Sequence, residues 1–411
     1  MIGVRRQLRL LRAAADFRLL FIATLGSSLG TLLATVALVV DVKDRTDSGP
    51  WISALLIVEF LPAVVIGLFF GPLLDRFSRR GLMIASDLVR FGVFCALPFA
   101  SSTAAIVALA GVAGLATGFF RPAVYAGLPN LVDEDDLTSA NSLIQTGENV
   151  SWTVAPVIGG VLVAAWGPDF AYWVNAVSFL LSALLVLRIP PASLHGALAA
   201  SAGHLRDLRE GFVQVVRTRP LLTVLVVWTI TLGAVASTQT AQVFLAKDAF
   251  DAGDLGYGLI FGCIGLGLAL GSFVAGSWLE RRPVGSVYAT SILLQAAGVG
   301  AAAVAPNVWA ALPCFVVAGI GNGTAVVCNA LLVQRGTTDE VRGRVFTVIM
   351  SVNYAVYGLG FVIAGPLLDA VGPRWMFGGV AIVLTFVSLL AHALARGGAR
   401  AAERPAEAEA A

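Results

Sequence analysis

Apolar residues run through this chain in long blocks rather than in strict alternation. No acidic or basic residue falls within Leu19–Val40, Phe91–Phe120, Pro220–Ala246, Leu255–Leu279 or Val284–Gln334. A helix needs about 20 apolar residues to cross the hydrocarbon core of a bilayer. Each of these blocks is long enough to cross once, and the last is long enough to cross twice. Turn residues and charge clusters divide the chain into twelve apolar helices. They fall near 17–41, 52–74, 82–100, 103–121, 138–165 and 170–188, then near 220–246, 255–279, 285–304, 308–333, 343–369 and 374–395. The Pro306-Asn307 pair splits the longest block, as a turn signal does.

The joints carry the charge. Twelve spans return both termini to one side, and all but four of the 27 Lys and Arg residues fall in segments on that side. The exceptions are Lys43, Arg45, Lys247 and Arg374. Basic residues concentrate on the cytoplasmic side of membrane proteins, so both termini are expected in the cytoplasm. The basic start followed by an apolar run imitates a signal peptide. The run is too long for one and lacks a small-residue cleavage site, so it reads as the first span with an uncleaved lead. Composition agrees with this picture: 58% of residues are hydrophobic, 13% are charged, and mean hydropathy is +0.86. Cys95, Cys263, Cys314 and Cys328 lie singly in apolar segments and read as small buried hydrophobes.

The two halves of the chain repeat at a constant offset of 205 residues. Gly71, Leu74, Asp75 and Arg76 fall on Gly276, Leu279, Glu280 and Arg281. Gly160 falls on Gly365, and Gly167-Pro168 falls on Gly372-Pro373. The chain therefore divides into a six-helix half over 1–188, a cytoplasmic linker over 189–219, a second six-helix half over 220–396 and a disordered tail over 397–411. Two parallel halves with a site between them is an architecture of secondary transporters.

Charge inside the spans is costly and needs a purpose. Glu59 falls about 12 Å from the outer end of the second span, and Glu148 about 15 Å from the inner end of the fifth. Both are expected to bind and release protons. The bland alternative for Glu148 is a structural carboxyl satisfied by Asn149, Gln145 or serine hydroxyls. Asp87 and Arg90 share a helix face three residues apart and are expected to pair. Uncharged polar residues gather in three spans: Thr238, Gln239, Thr240 and Gln242; Asn322, Thr324 and Asn329; Asn353, Tyr354 and Tyr357. Nucleotide-binding loops and metal clusters are missing from the sequence, so no cofactor and no ATP coupling are expected.

GPLLDRFSRRG, from Gly71 to Gly81, resembles the loop motif between helices two and three of the major facilitator superfamily. FFRPAVYAGLPNLVDEDDLTSANSLIQ (119–145) and TDEVRGRV (338–345) resemble the group of enterobactin exporters and macrolide-efflux permeases. SWTVAPVIGG (151–160) is similar to a fifth-helix motif of antiporters, with Ser151 and Ala155 standing where glycines are usual. The resemblance covers nearly the whole chain. It implies an all-α fold of two pseudo-symmetric halves whose first, fourth, seventh and tenth spans line a cavity. Gln239, Gln242 and Asn322 then become candidate substrate contacts, joined by Thr238, Asn353 and Tyr354. Thr24, Ser27, Ser28 and Thr31 are weaker ones. The charged residues Asp75, Arg76, Arg79, Arg80, Asp87 and Arg90 are in addition expected to form a conformational latch. Asp75 would face the positive N-terminus of the eleventh span near Arg342, Gly343 and Arg344, and its repeat mate Glu280 the start of the fifth span near Leu137 to Ser139.

The expected function is proton-coupled export of an organic small molecule such as a drug, macrolide or siderophore-like metabolite. The protein is expected to be a multi-pass monomer of the plasma membrane with no nucleic-acid partner and no enzymatic activity. An importer or facilitator of the same fold, or a non-transporting sensor, is the alternative.

Overall fold

The computed structural model describes residues 2–69, 77–194, 212–337 and 339–408. An amphipathic helix α1 (Ile2–Ala13) precedes twelve helices long and apolar enough to cross a membrane. These are α2 (Ala15–Thr46), α3 (Gly49–Phe69), α4 (Arg79–Ala96), α5 (Thr103–Gly127), α6 (Leu137–Trp166) and α7 (Pro168–Leu187). The second set is α8 (Arg219–Phe244), α9 (Gly253–Leu279), α10 (Val284–Val304), α11 (Val308–Arg335), α12 (Asp339–Val371) and α13 (Pro373–Ala408). The order matches the twelve spans read from the apolar blocks. Two ends differ. The α5 helix runs to Gly127, past Arg121, so Arg121 lies within a helix rather than in a turn. The α13 helix runs to Ala408, where 397–411 was expected to be disordered. Ala, Arg and Glu dominate that tail, and all three are strong helix formers.

The repeat is visible in local structure as well as in sequence. Ser102 caps α5 by accepting from the Ala105 amide at 3.3 Å. Its repeat mate Asn307 caps α11 from the Ala310 amide at 3.0 Å. Gly167 and Gly372 both take positive φ, +81° and +79°, a region only glycine enters freely, and each is followed by a proline that opens the next helix. The carbonyls of Ala100 and Ala305 are repeat mates too. Arg45 donates to the first at 3.2 Å and Arg374 to the second at 2.7 Å. One arginine comes from the end of α2 and the other from the start of α13, so the two halves secure the same loop by different routes.

Residues 1–201 and 253–262 form one compact unit, and 202–252 with 263–411 form the other. The first turns of α9 thus group with the N-terminal helices, a departure from the half-by-half division. In the first unit α2 packs on α6 and α7, α3 on α5, and α4 on α5 and α7. In the second, α8 packs on α12 and α13, and α10 on α11 and α13. Small residues set the close approaches. Gly267 and Gly271 of α9 lie against Gly319 and Ile320 of α11, so closely that a Cβ on Gly271 would sit 2.1 Å from the Ile320 carbonyl oxygen. Cys328 is buried as expected, whereas Cys95, Cys263 and Cys314 are partly exposed.

Candidate functional site

Within the first unit, α2 and α6 enclose a narrow crevice, smaller than a drug-sized ligand needs, lined by Phe21, Thr24, Leu25, Ser28, Ile144, Gly147 and Glu148. Gly147 makes room for it. The position of its absent Cβ is 3.3 Å from Leu25 Cδ1 and 3.4 Å from Phe21, so α2 and α6 approach without closing over the carboxyl. Glu148 Oε2 accepts from Arg121 Nη2 at 2.8 Å and from the Tyr125 hydroxyl at 3.4 Å. Arg121 and Tyr125 are one helical turn apart on α5, so both reach the same carboxylate oxygen. The side chain of Glu148 is 12% exposed and that of Arg121 is 62% exposed. The partners named for Glu148 from sequence were Asn149, Gln145 and serines; the structure supplies a cation and a phenol instead.

Glu59 of α3 accepts from Thr35 of α2 at 3.4 Å. The backbone at Val58 and Glu59 is crossed closely by α5, where a Cβ on Gly114 would lie 2.5 Å from the Val58 carbonyl oxygen. Glu59 and Glu148 therefore sit in different surroundings, one beside a hydroxyl and the other beside an arginine.

Asp87 and Arg90 form the pair their spacing implied. Arg90 Nη2 lies 2.5 Å from Asp87 Oδ1, with side chains 2% and 0% exposed. Ser182 of α7 donates to Asp87 Oδ2 at 2.7 Å, and Arg90 Nη1 donates to Ser27 of α2 at 3.2 Å. The Arg90 guanidinium lies 4.2 Å from the Phe179 ring centroid and 4.5 Å from that of Phe120. The pair thus ties α4 to α2, α5 and α7 inside one unit. Of the other residues assigned to a latch, Asp75 and Arg76 lie outside the described residues. Arg79 opens α4, Arg80 donates to the Leu187 carbonyl at 2.5 Å, and Glu280 is exposed just past α9.

In the second unit the polar residues of α8 and α12 pair with each other. Tyr357 donates to Gln239 at 2.6 Å, and Thr229 donates to Asn353 at 2.8 Å. Asn353 is 1% exposed, and its Nδ2 has no hydrogen-bond partner among the described residues. The Thr238 hydroxyl is spent on the Val235 carbonyl of its own helix. Gln242 is buried, while Asn322 and Tyr354 are half-buried. The 205-residue register places Thr229 on Thr24 and Asn353 on Glu148. Thr229 bonds Asn353, whereas Thr24 only lines the same crevice as Glu148 and its hydroxyl has no hydrogen-bond partner among the described residues; of the two repeat-related positions only Glu148 carries an ionisable group.

The SWTVAPVIGG segment packs through its small residues. A Cβ on Gly159 would lie 2.8 Å from the Leu33 carbonyl oxygen of α2, and one on Gly160 would lie 2.9 Å from Asp254 O and 3.0 Å from Gly258 Cα. Ser151 donates to the Gly147 carbonyl at 2.9 Å, a role a glycine could not fill. Gly160→Val forces α6 and the first turns of α9 apart. Overpacking of this kind costs about 1–3 kcal/mol, so the variant should unfold at lower temperature in detergent and lose transport. Wild-type melting and transport in Gly160→Val would show that this approach is not needed.

The sequence profile of the transmembrane secretion effector family, a branch of the major facilitator transporters, matches residues 10–408. The chain belongs to this family. Its relatives include the multidrug efflux pump Tap of Mycolicibacterium fortuitum, 27% identical over 396 residues, covering 92% of this chain and 95% of that protein. Macrolide efflux protein A of Streptococcus pyogenes is 21% identical over 374 residues, covering 85% and 89%. Among solved structures, the nucleoside transporter NupG superposes with a TM-score of 0.73 at 12% identity, covering 92% of this chain and 98% of that one. A bacterial homologue of ferroportin superposes at 0.71 and 15% identity, covering 92% and 97%. These structural likenesses establish the major facilitator fold. The secretion effector described here is a multi-pass membrane transporter of the efflux group and not an enzyme.

Proposed function

We propose that this transporter exports an organic small molecule in exchange for protons, by alternating access. The Arg121–Glu148 pair carries the reading. A carboxylate within a span, paired with one cation and opening on a cleft, has two competing neutralisers: the arginine and a proton. Protonation of Glu148 releases the Arg121 guanidinium, and loss of the proton recaptures it. A substrate bound to the conformation that holds the ionised pair leaves when the carboxyl is protonated, which makes the movements opposite in direction. The amide at Asn353 keeps the equivalent position of the second unit neutral, so this pair of positions holds one coupling carboxyl.

The polar groups available and the relatives support this reading of the substrate class. Amides, hydroxyls and aromatic rings line the second unit's polar positions, which suits a large and mostly uncharged ligand. Two relatives are named for multidrug and macrolide efflux. We place the protein in the plasma membrane as a monomer with both termini in the cytoplasm, because of where the arginines fall.

Everted membrane vesicles test the direction and the driving force together. With an acid interior, they should accumulate a macrolide or a lipophilic dye above vesicles lacking the protein, and a protonophore should abolish the difference. Equal uptake with and without a pH gradient would make the protein a facilitator. Accumulation in right-side-out vesicles instead would make it an importer.

A further inference from the structure

Helix α1 is held against the first unit by one of its faces. Arg6 Nε lies 2.6 Å from Asp136 Oδ1, and its Nη2 donates to the Asp135 carbonyl at 2.5 Å. Gln7 donates to Ser142 at 3.2 Å, and Leu10, 4% exposed, joins the apolar core with Phe17, Leu20 and Met83. These attachments spend Arg6 on the acidic turn that precedes α6. Asp16, the acidic residue at the start of α2, accepts from Ser193 at 3.1 Å.

Arg9 and Arg12 are exposed. They are three residues apart, hence on one face, and by helical geometry that face is turned well away from Leu10 and Gln7. Only Ala14, in extended conformation, separates α1 from the first span, so Arg9 and Arg12 lie within six residues of the start of that span. Arg18, also exposed, donates from the first turn of the span to the carbonyls of Leu11 and Arg12, at 3.2 and 3.4 Å. That contact fixes α1 to the membrane boundary and brings a third guanidinium beside Arg12. An amphipathic helix with arginines on its free face, lying at the interface, is a binding surface for anionic lipid.

We propose that Arg9 and Arg12 on the free face of α1, together with Arg18 in the first turn of α2, bind the headgroups of anionic phospholipids in the adjoining leaflet. Phosphodiester oxygens suit the paired donors of guanidinium groups, and a zwitterionic headgroup brings no net charge to the surface. The contact presses α1 onto the α6 end it already holds. This inference is independent of substrate and of proton coupling.

The test uses the full-length protein in detergent, titrated with short-chain phosphatidylglycerol or phosphatidylcholine and read by native mass spectrometry. Wild-type protein should retain phosphatidylglycerol preferentially. Arg9→Gln/Arg12→Gln should weaken that retention by about 30-fold, from two basic side chains at a membrane surface. Arg9→Lys/Arg12→Lys should keep most of it, and a melting curve on both variants confirms folding. Arg281→Gln/Arg282→Gln, a pair equally exposed after α9, should leave retention unchanged. Equal retention of the two lipids by wild-type protein, unchanged retention in the Arg9/Arg12 glutamine variant, or an equal loss in the Arg281/Arg282 control would each overturn the proposal.

Discussion

Asp87→Ala should unfold the N-terminal helices of this transporter well below the wild-type melting temperature. The substitution leaves the Arg90 guanidinium, 2% exposed, with no counter-ion on its own helix, held only by Ser27 and two aromatic faces. Breaking a buried ion pair from one side costs about 3–5 kcal/mol, because the remaining charge is stranded. It also frees the Ser182 hydroxyl that Asp87 accepted from. Removing both charges together avoids the stranded ion. Asp87→Asn/Arg90→Gln should therefore melt closer to wild type than Asp87→Ala, which is the coupling a double-mutant cycle reads. Additive losses in the cycle would mean that the two side chains act separately and that another group balances Arg90.

Glu148→Gln should abolish proton-driven efflux without loss of folded protein. Glutamine keeps the shape and can still accept from Arg121 and Tyr125, so the cleft survives. The charge that a proton and Arg121 compete for is gone. Arg121 is more than half exposed, so losing this partner costs little stability. Expression and melting should stay near wild type while accumulation in acid-loaded everted vesicles falls to the level of vesicles lacking the protein. Full activity with an unchanged pH response would leave Glu148 a structural carboxyl.

How much of this was legible in the sequence depended on the range of the interaction. The twelve helices were legible because apolar length is local: each span declares itself within its own residues. The repeat was legible because Gly-Pro corners and capping residues hold one offset, and Ser102/Asn307 and Gly167/Gly372 do the same structural work in both halves. The Asp87–Arg90 pair was legible because its partners are three residues apart on one helix.

The partner of Glu148 was not, because Arg121 is 27 residues away on another helix. It stood at the end of an apolar block, where an arginine reads as a cytoplasmic anchor. The signal that could have found it is the continuation of helix-compatible residues, PAVYAG, beyond the arginine. The pairing of Gln239 with Tyr357, and the equivalence of Asn353 with Glu148, required the contact across helices and the repeat register together. Likewise, composition gave no sign that the first turns of α9 pack with the N-terminal helices. That follows from the backbone approach of Gly160 and Gly258.

Proton release on substrate binding decides whether Glu148 couples export to protons. Purified protein in weakly buffered detergent, with a pH-sensitive dye, is mixed with a transported macrolide or dye substrate. At acid pH, wild-type protein should release protons as substrate binds, whereas Glu148→Gln, fixed in the neutral form from which substrate leaves, should bind weakly and release none. Substrate binding by wild-type protein with no proton movement at any pH, or equal release from Glu148→Gln, would contradict the account.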